Sequence, residues 1–294
     1  MSKTEHKSGY VAIIGKPNAG KSTLMNRILG SKISITTHKP QTTRHQILGI
    51  HSDENSQIIF LDTPGVLKPK YELQSAMMRF VERAKNDADA ILLIVDGADP
   101  VPPKNVISLL KSLNTPLLLI VNKIDLGNRT QAEQVAEQVT EKLNIHETFY
   151  LSALTGEGVD RLLPAIKKLM PAGPPYYPKD ILSEQPVRFF ASELIREQLF
   201  FLFHEEIPYS CTVEVADYEE REDLDFIRAE IIVNRRSQKG MLIGKGGKAI
   251  KKLGTRSRKV IEDFVGRKVY LDLHVKVREK WREDENWVRN LGYQ

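Results

Sequence analysis

The residues best suited to chemistry lie near the start of the chain. Gly15-Lys16-Pro17-Asn18-Ala19-Gly20-Lys21-Ser22, followed by Thr23, fits G-x-x-x-x-G-K-[ST]. Glycines let such a backbone curl until successive N–H groups converge on a phosphate, and a helix opening behind it adds the positive end of its dipole. Lys21 then reaches the β- and γ-phosphates, and the Ser22 hydroxyl becomes a ligand for Mg²⁺. The pattern alone does not choose adenine or guanine.

Asn122-Lys123-Ile124-Asp125 makes that choice. A carboxylate in the plane of the base accepts hydrogen bonds from guanine N1–H and the 2-amino group. Adenine offers neither donor, and a buried polar group left unpaired discriminates by several kcal/mol. Asp125 is the predicted base reader, Lys123 lays its stem along the base, and Asn122 ties this loop to the phosphate loop. In Ser152-Ala153-Leu154 a backbone N–H is placed for the guanine 6-oxo group. Asp62-Thr63-Pro64-Gly65 offers a carboxylate to hold Mg²⁺ through a water and a Gly65 N–H for the γ-phosphate, so loss of that phosphate would release the loop.

These loops need strands to hold them. Apolar runs of strand length fall at 10–14, 58–61, 90–95, 116–121 and 148–151, with helical patterns at 21–29, 131–143 and 159–170 among them. Buried strands alternating with helices predict an α/β fold with a mostly parallel sheet. The run 47–51 pairs antiparallel with 58–61 across a polar turn. Pro171, Gly173, Pro174, Pro175 and Pro178 then crowd one segment, which reads as a semi-rigid linker. Beyond it come an amphipathic helix at 186–204, strands at 210–216 and 225–233, a Gly-rich basic segment, a helix at 249–265 and a strand at 268–277. The expected division is 1–172, a linker 173–185, and a second domain 186–294 that includes a charged tail. Phe200, Phe201 and Phe203 are read as core, and Trp281 and Trp287 as docking back onto the second domain.

Charge is uneven. Residues 235–268 hold twelve Lys or Arg against two acids, whereas 193–230 hold twelve acids against three Arg. That asymmetry points to a basic binding face, or to a solvated helix. Within the basic part, Ile243-Gly244-Lys245-Gly246-Gly247-Lys248 carries G-x-x-G, with Lys251 and Lys252 following. A lone Cys211 precludes an intrachain disulfide and a Cys-based metal site and fits a reducing compartment. No run approaches the roughly 18 apolar residues of a membrane span, and residues 1–8 lack a signal-peptide core. A soluble cytosolic protein is the expectation.

The first-half motifs, in this order, resemble the first, third, fourth and fifth motifs of the translation-factor-related GTPase class. The resemblance implies P-loop GTP hydrolysis with Lys21, a threonine and Gly65 as catalytic groups. The class's second motif is a threonine that binds Mg²⁺ from a mobile loop. Thr42 and Thr43 of Gln41-Thr42-Thr43-Arg44-His45 are the candidates, and Thr43, directly before the arginine, is preferred. Where Ras-like enzymes place a water-orienting Gln, this chain has Val66, which implies slow intrinsic hydrolysis. Related GTPases with an Asn at position 18 use K⁺ near the β/γ bridge; a loop-stabilising Asn18 is the alternative. In the second half the order α-β-β-α-α-β around the G-x-x-G resembles a small α+β KH domain of the bacterial type. Such a domain binds single-stranded RNA with Gly244–Gly247 against the backbone and Lys245, Lys248, Lys251 and Lys252 on phosphates. Ile243, Ile250 and residues of 225–233 would be the apolar floor. A GTPase domain, Pro-rich linker and KH domain together resemble the Era family. That resemblance implies binding near the 3′ end of 16S rRNA, assistance to small-subunit assembly and, in some members, peripheral membrane association; a monomer is assumed. The other reading is a membrane-associated switch whose second domain is a protein or lipid adaptor. A tRNA-modifying GTPase would need a further cofactor-binding domain, of which the sequence has no sign.

Overall fold

The computed structural model describes residues 5–99 and 104–293, so residues 1–4 of the polar start and the final Gln294 lie outside the described residues. The chain divides into two compact units; apart from Tyr71–Ala76, which group with the second, the change falls between Glu184 and Gln185.

The first unit runs β1 (Lys7–Gly15), α1 (Lys21–Leu29), β2 (Ile47–Ser52), β3 (Ser56–Asp62), α2 (Glu72–Asp87), β4 (Ala90–Asp96), α3 (Lys104–Leu110), β5 (Leu117–Asn122), α4 (Arg129–Thr140), β6 (Glu147–Leu151) and α5 (Leu162–Leu169). Its sheet has the order β2-β3-β1-β4-β5-β6. Among the described residues only β2 is antiparallel, paired with β3 from Ile47 opposite Asp62 to Ser52 opposite Gln57. β3 and β5 are buried at every position, as strands covered on both faces must be. One side of the sheet packs Ala12, Ile14, Leu93, Leu119 and Val121 against Val135 and Val139 of α4.

Parallel pairing fixes where the loops emerge. Ile13 lies opposite Asp62, Gly15 opposite Ile94, Asp96 opposite Asn122, and Asn122 opposite Leu151. The C-terminal ends of β1, β3, β4, β5 and β6 therefore share one edge. The order also reverses at β1, the position where open α/β sheets bind ligands.

The proline-rich segment is strapped to this unit. Gln57, fully buried, accepts from the N–H groups of Tyr176 and Tyr177 through Oε1 at 2.7 and 2.9 Å. Ile50 N–H donates to Leu182 O at 2.8 Å, Ser183 Oγ donates to Leu48 O, and Tyr176 stacks on Tyr10. The free edge of β2 is thus capped by residues 182–183, which answers the hazard of an unpaired edge strand.

The second unit runs α6 (Val187–Leu202), α7 (Ile207–Ser210), β7 (Cys211–Glu220), β8 (Asp225–Val233), α8 (Arg236–Ile243), a 3₁₀ turn (Lys245–Gly247), α9 (Lys248–Val265), β9 (Val269–Val277) and α10 (Glu285–Asn290). β7 and β8 are antiparallel with a bulge between Val215 and Asp217, and β9 adds parallel to β8. Leu199, Cys211, Ile231, Val233, Leu242, Leu253 and Val275 form the core. Phe200 is buried and Phe203 packs on this core, but Phe201 is 43% exposed, a correction to its reading as core: it follows Phe200 by about 100° around α6 and so leaves the buried face. Trp281 is wholly buried and its indole N–H donates to Ser210 O at 3.0 Å. Trp287 is half-buried under the Arg278 guanidinium, and the Tyr293 hydroxyl meets Thr212 Oγ1 at 3.0 Å.

Candidate functional site

At the shared edge of the first sheet, Gly20 has φ 99°, and an added Cβ would stand 2.2 Å from the Asn122 amide nitrogen. Only glycine permits that approach, which brings the phosphate loop against β5. Asn122 Nδ2 donates to Ala19 O at 2.8 Å, while its Oδ1 accepts from Ala153 N–H at 2.9 Å. One side chain thereby locks three motif loops together. Arg27 of α1 adds hydrogen bonds from Nε to Ala153 O at 3.3 Å and from Nη2 to Leu154 O.

The resulting cavity is lined by Pro17, Asn18, Gly20, Lys21, Ser22 and Thr23 of the phosphate loop, by Thr42 and Thr43, and by Gly65. Asn122, Lys123, Asp125, Ala153 and Leu154 line it as well. Gly15 closes β1, Ser152 is buried behind the lining, and Lys16 pairs with Asp99 at 2.5 Å. Lys123 Nζ bonds Asp96 Oδ2 at 2.6 Å, and Asp125 is exposed at the rim beside Leu126. Asn18 donates from its side chain to His38 O at 2.9 Å.

Lys21 is buried and turned back on its own loop, donating to Lys16 O at 2.8 Å. Burial lowers its pKa from 10.5 to about 8, against the opposing pull of Asp62. Burial likewise pushes Asp62 above the usual carboxylate range, offset by Ser22, Lys21 and Ser34. Ser22 Oγ lies 2.8 Å from Thr43 Oγ1 and 2.6 Å from Asp62 Oδ2. Thr42 instead turns into its own loop, donating to Lys39 O at 2.8 Å. Asp62 Oδ1 is buried without a hydrogen-bond partner. Two hydroxyls and a half-satisfied carboxylate, all oxygen donors, fit a hard divalent cation. Gly65 lies hard against the phosphate loop, where an added Cβ would be 2.4 Å from Pro17 N, and Val66 N–H donates to Gly15 O at 3.0 Å. The Val66 side chain enters the apolar core.

Four residues of this arrangement escaped the sequence reading. Ser34 donates to Asp62, Asn26 holds Ser34, Arg27 holds the Ala153 loop, and Asp96 holds Lys123. None sits in a recognisable spacing; only their contacts reveal them.

In the second unit, Gly244, Gly246 and Gly247 all have positive φ (71°, 59° and 76°), so the backbone between α8 and α9 turns through conformations that side chains resist. Lys245, Lys248, Lys251 and Lys252 are exposed around it. Beside it runs a groove lined by Ile243, Ile250, Leu273 and Val275, with Arg228, Glu230, Asp272 and His274 on its polar side. Ile243 and Ile250 line it as expected, but the strand share of its apolar floor comes from β9, not β8. The central strand β8 spends Ile227, Ala229 and Ile231 on the core, and the edge strand β9 is left to face the groove.

Comparison with known proteins agrees with this geometry. Residues 10–123 match the family model described as 50S ribosome-binding GTPase, and 206–282 match the KH domain model. The GTPase Era of Carboxydothermus hydrogenoformans is 43% identical over 292 residues, covering 98% of each chain. The chain belongs to the Era family. A chloroplastic ERA-like GTPase of Arabidopsis thaliana is 45% identical, covering 99% of this chain and 69% of the relative. Crystal structures of a point variant of Aquifex aeolicus Era bound to GDP·AlF₄⁻, and of an Era in complex with MgGDPNP and nucleotides 1506–1542 of 16S ribosomal RNA, each superpose with a TM-score of 0.93 at 38% identity. Each covers 98% of this chain and 99% of its own. As a family member the chain is a GTPase that hydrolyses GTP to GDP and phosphate, built as a P-loop GTPase domain followed by a KH domain.

Proposed function

We propose that the chain is a GTP/GDP switch that binds 16S rRNA near its 3′ end and assists small-subunit assembly and rRNA processing. One observation carries the RNA part: three glycines at positive φ and four exposed lysines open beside an apolar groove. The relative crystallised with nucleotides 1506–1542 of 16S rRNA supports the choice of RNA. Ile243, Gly244, Lys245, Gly246, Gly247, Lys248, Lys251 and Lys252 are the proposed contacts. A lipid adaptor would explain the lysines but not the groove.

In the first unit the proposed guanine contacts are Asn122, Lys123, Asp125, Ser152, Ala153 and Leu154. Gly15 to Thr23 wrap the phosphates, with Lys21 swinging from Lys16 O onto the β- and γ-oxygens. Ser22, Thr43 and, through a water, Asp62 hold Mg²⁺. When bound, Mg²⁺ neutralises charge gathering on the β- and γ-phosphate oxygens. The Gly65 N–H donates to the γ-phosphate, and Thr43 and residues 34–44 order around it. Asn18 is also proposed to help seat K⁺, tested by comparing hydrolysis rates in potassium and sodium buffers. The working division remains 1–172, 173–185 and 186–294, in a cytoplasmic monomer.

RNA affinity is proposed to be higher in the GTP form, and by linkage RNA then tightens GTP binding by the same factor. The test is titration of a labelled oligonucleotide copying the 3′ end of 16S rRNA, against a scrambled control, with GDP and with a non-hydrolysable GTP analogue. Salt is held fixed because the phosphate contribution moves affinity by orders of magnitude. Preference for the true sequence in the GTP form is expected; equal, weak binding of both RNAs would sink the RNA reading.

A further inference from the structure

Asp62 is held unequally. Ser22 and Ser34 both donate to Oδ2, at 2.6 and 2.7 Å, while Oδ1 is buried with no partner. Because the Ser22 hydroxyl gives its one proton to Asp62, Thr43 is the donor between the two hydroxyls, and one Ser22 lone pair stays available to a cation. Ser34 belongs to no nucleotide motif, yet it is fully buried and closely fixed. Asn26, one turn into α1 beyond Ser22, accepts from the N–H groups of Ile33 and Ser34 through Oδ1, both at 2.9 Å, and donates through Nδ2 to Ser34 O at 2.7 Å. Two hydrogen bonds to its own backbone and one to the preceding Ile33 thus pin the residue whose hydroxyl meets the carboxylate.

We propose that Ser34 is a positioning residue that, backed by Asn26, fixes the Asp62 carboxylate through Oδ2 and leaves Oδ1 to the water of a nucleotide-bound Mg²⁺. Ser34 is not among the residues that line the cavity, where Ile35 and Thr36 are. Its action is to remove the freedom of Asp62 to rotate, at the root of the loop that carries Thr43. The inference rests on the nucleotide and Mg²⁺ reading given above.

The experiment follows release of a fluorescent GDP from the full chain while Mg²⁺ is titrated, for wild type, Ser34→Ala and Asn26→Ala. Ser34→Ala is expected to raise the Mg²⁺ concentration that half-suppresses GDP release by about tenfold, the loss of one hydrogen bond to a charged group. GDP affinity in EDTA should stay within about twofold of wild type. Asn26→Ala, which leaves the hydroxyl in place but frees its backbone, is expected to shift the same midpoint by a smaller factor. It carries the test if Ser34→Ala does not fold. An unchanged Mg²⁺ midpoint in the folded variant overturns the inference, as does an equal loss of affinity in EDTA, which would mark Ser34 as merely structural. If wild type itself fails to bind GDP, or its release ignores Mg²⁺, the nucleotide reading falls instead.

Discussion

Lys21→Met should make the nucleotide-free protein more stable while abolishing the use of its site. Lys21 is 5% exposed and faces the cavity among backbone carbonyls. Burial moves its pKa from 10.5 to about 8, so at neutral pH the native state carries a charge it would rather lose. A shift of that size corresponds to about 3 kcal/mol against folding. Methionine is similar in length, unbranched and uncharged. The two carbonyls that lose the lysine keep other donors, since Val66 N–H reaches Gly15 O at 3.0 Å and Ala19 N–H reaches Lys16 O at 3.4 Å. Losing the lysine's own hydrogen bond to Lys16 O returns about 1 kcal/mol, leaving a net gain of about 2 kcal/mol, or roughly 4–8 °C in Tm.

The pH dependence has a definite sign. Below pH 8 both states hold the lysine proton and the penalty is complete. Between about pH 8 and 10.5 the unfolded state holds more protons than the native state, so wild-type stability rises relative to the variant. The assay is denaturant or thermal melting of nucleotide-free wild type and variant from pH 7 to 10, repeated with Mg²⁺ and GDP. Nucleotide should reverse the order, because it stabilises only the protein that binds it. A nucleotide-free variant less stable than wild type at pH 7, or a gap that stays constant up to pH 10, would contradict this account of the buried lysine.

Other outcomes follow from single contacts. The isolated protein should hydrolyse GTP at or below roughly 10⁻⁴–10⁻³ s⁻¹ in single-turnover assays. Val66→Gln should not rescue it, because Val66 points into the core, and the buried amide should cost about 1–3 kcal/mol in denaturant melts. Thr43→Ala should weaken the Mg²⁺-dependent binding of a GTP analogue about tenfold more than Thr42→Ala, since Thr43 meets Ser22 at 2.8 Å while Thr42 bonds its own loop; isothermal calorimetry reads both. Trp281→Ala should destabilise the second unit by about 3–5 kcal/mol in denaturant melts, as it removes a fully buried indole and its hydrogen bond to Ser210 O.

Fold class and the contents of the cavity were legible in the residues alone. Continuous apolar runs of five or six residues between glycines and helical patterns read as strands covered on both faces, and the helix expected at 21–29 spans Lys21–Leu29, flanked by Gly20 and Gly30 in the left-handed region. A phosphate loop needs glycines at fixed spacing and a base reader needs a carboxylate after a strand. Such local chemistry is written in consecutive residues. The parallel sheet then had to bring the ends of β1, β3 and β5 to one edge.

Packing sets apart two neighbours that look the same in sequence. Thr43 and Thr42 are alike in sequence, and it is the path of their loop that puts one hydroxyl on Ser22 and the other on Lys39 O. The proline-rich segment read as a spacer because prolines report backbone stiffness and nothing about what lies alongside; Gln57 and the free edge of β2 turn it into a strap. The groove floor moved from β8 to β9 because alternation tells which residues share a face, not which strand is central. Ser34 was invisible for the same reason. Its partners Asn26 and Asp62 stand 8 and 28 residues away, and a hydrogen bond across that distance exists only once packing has closed it.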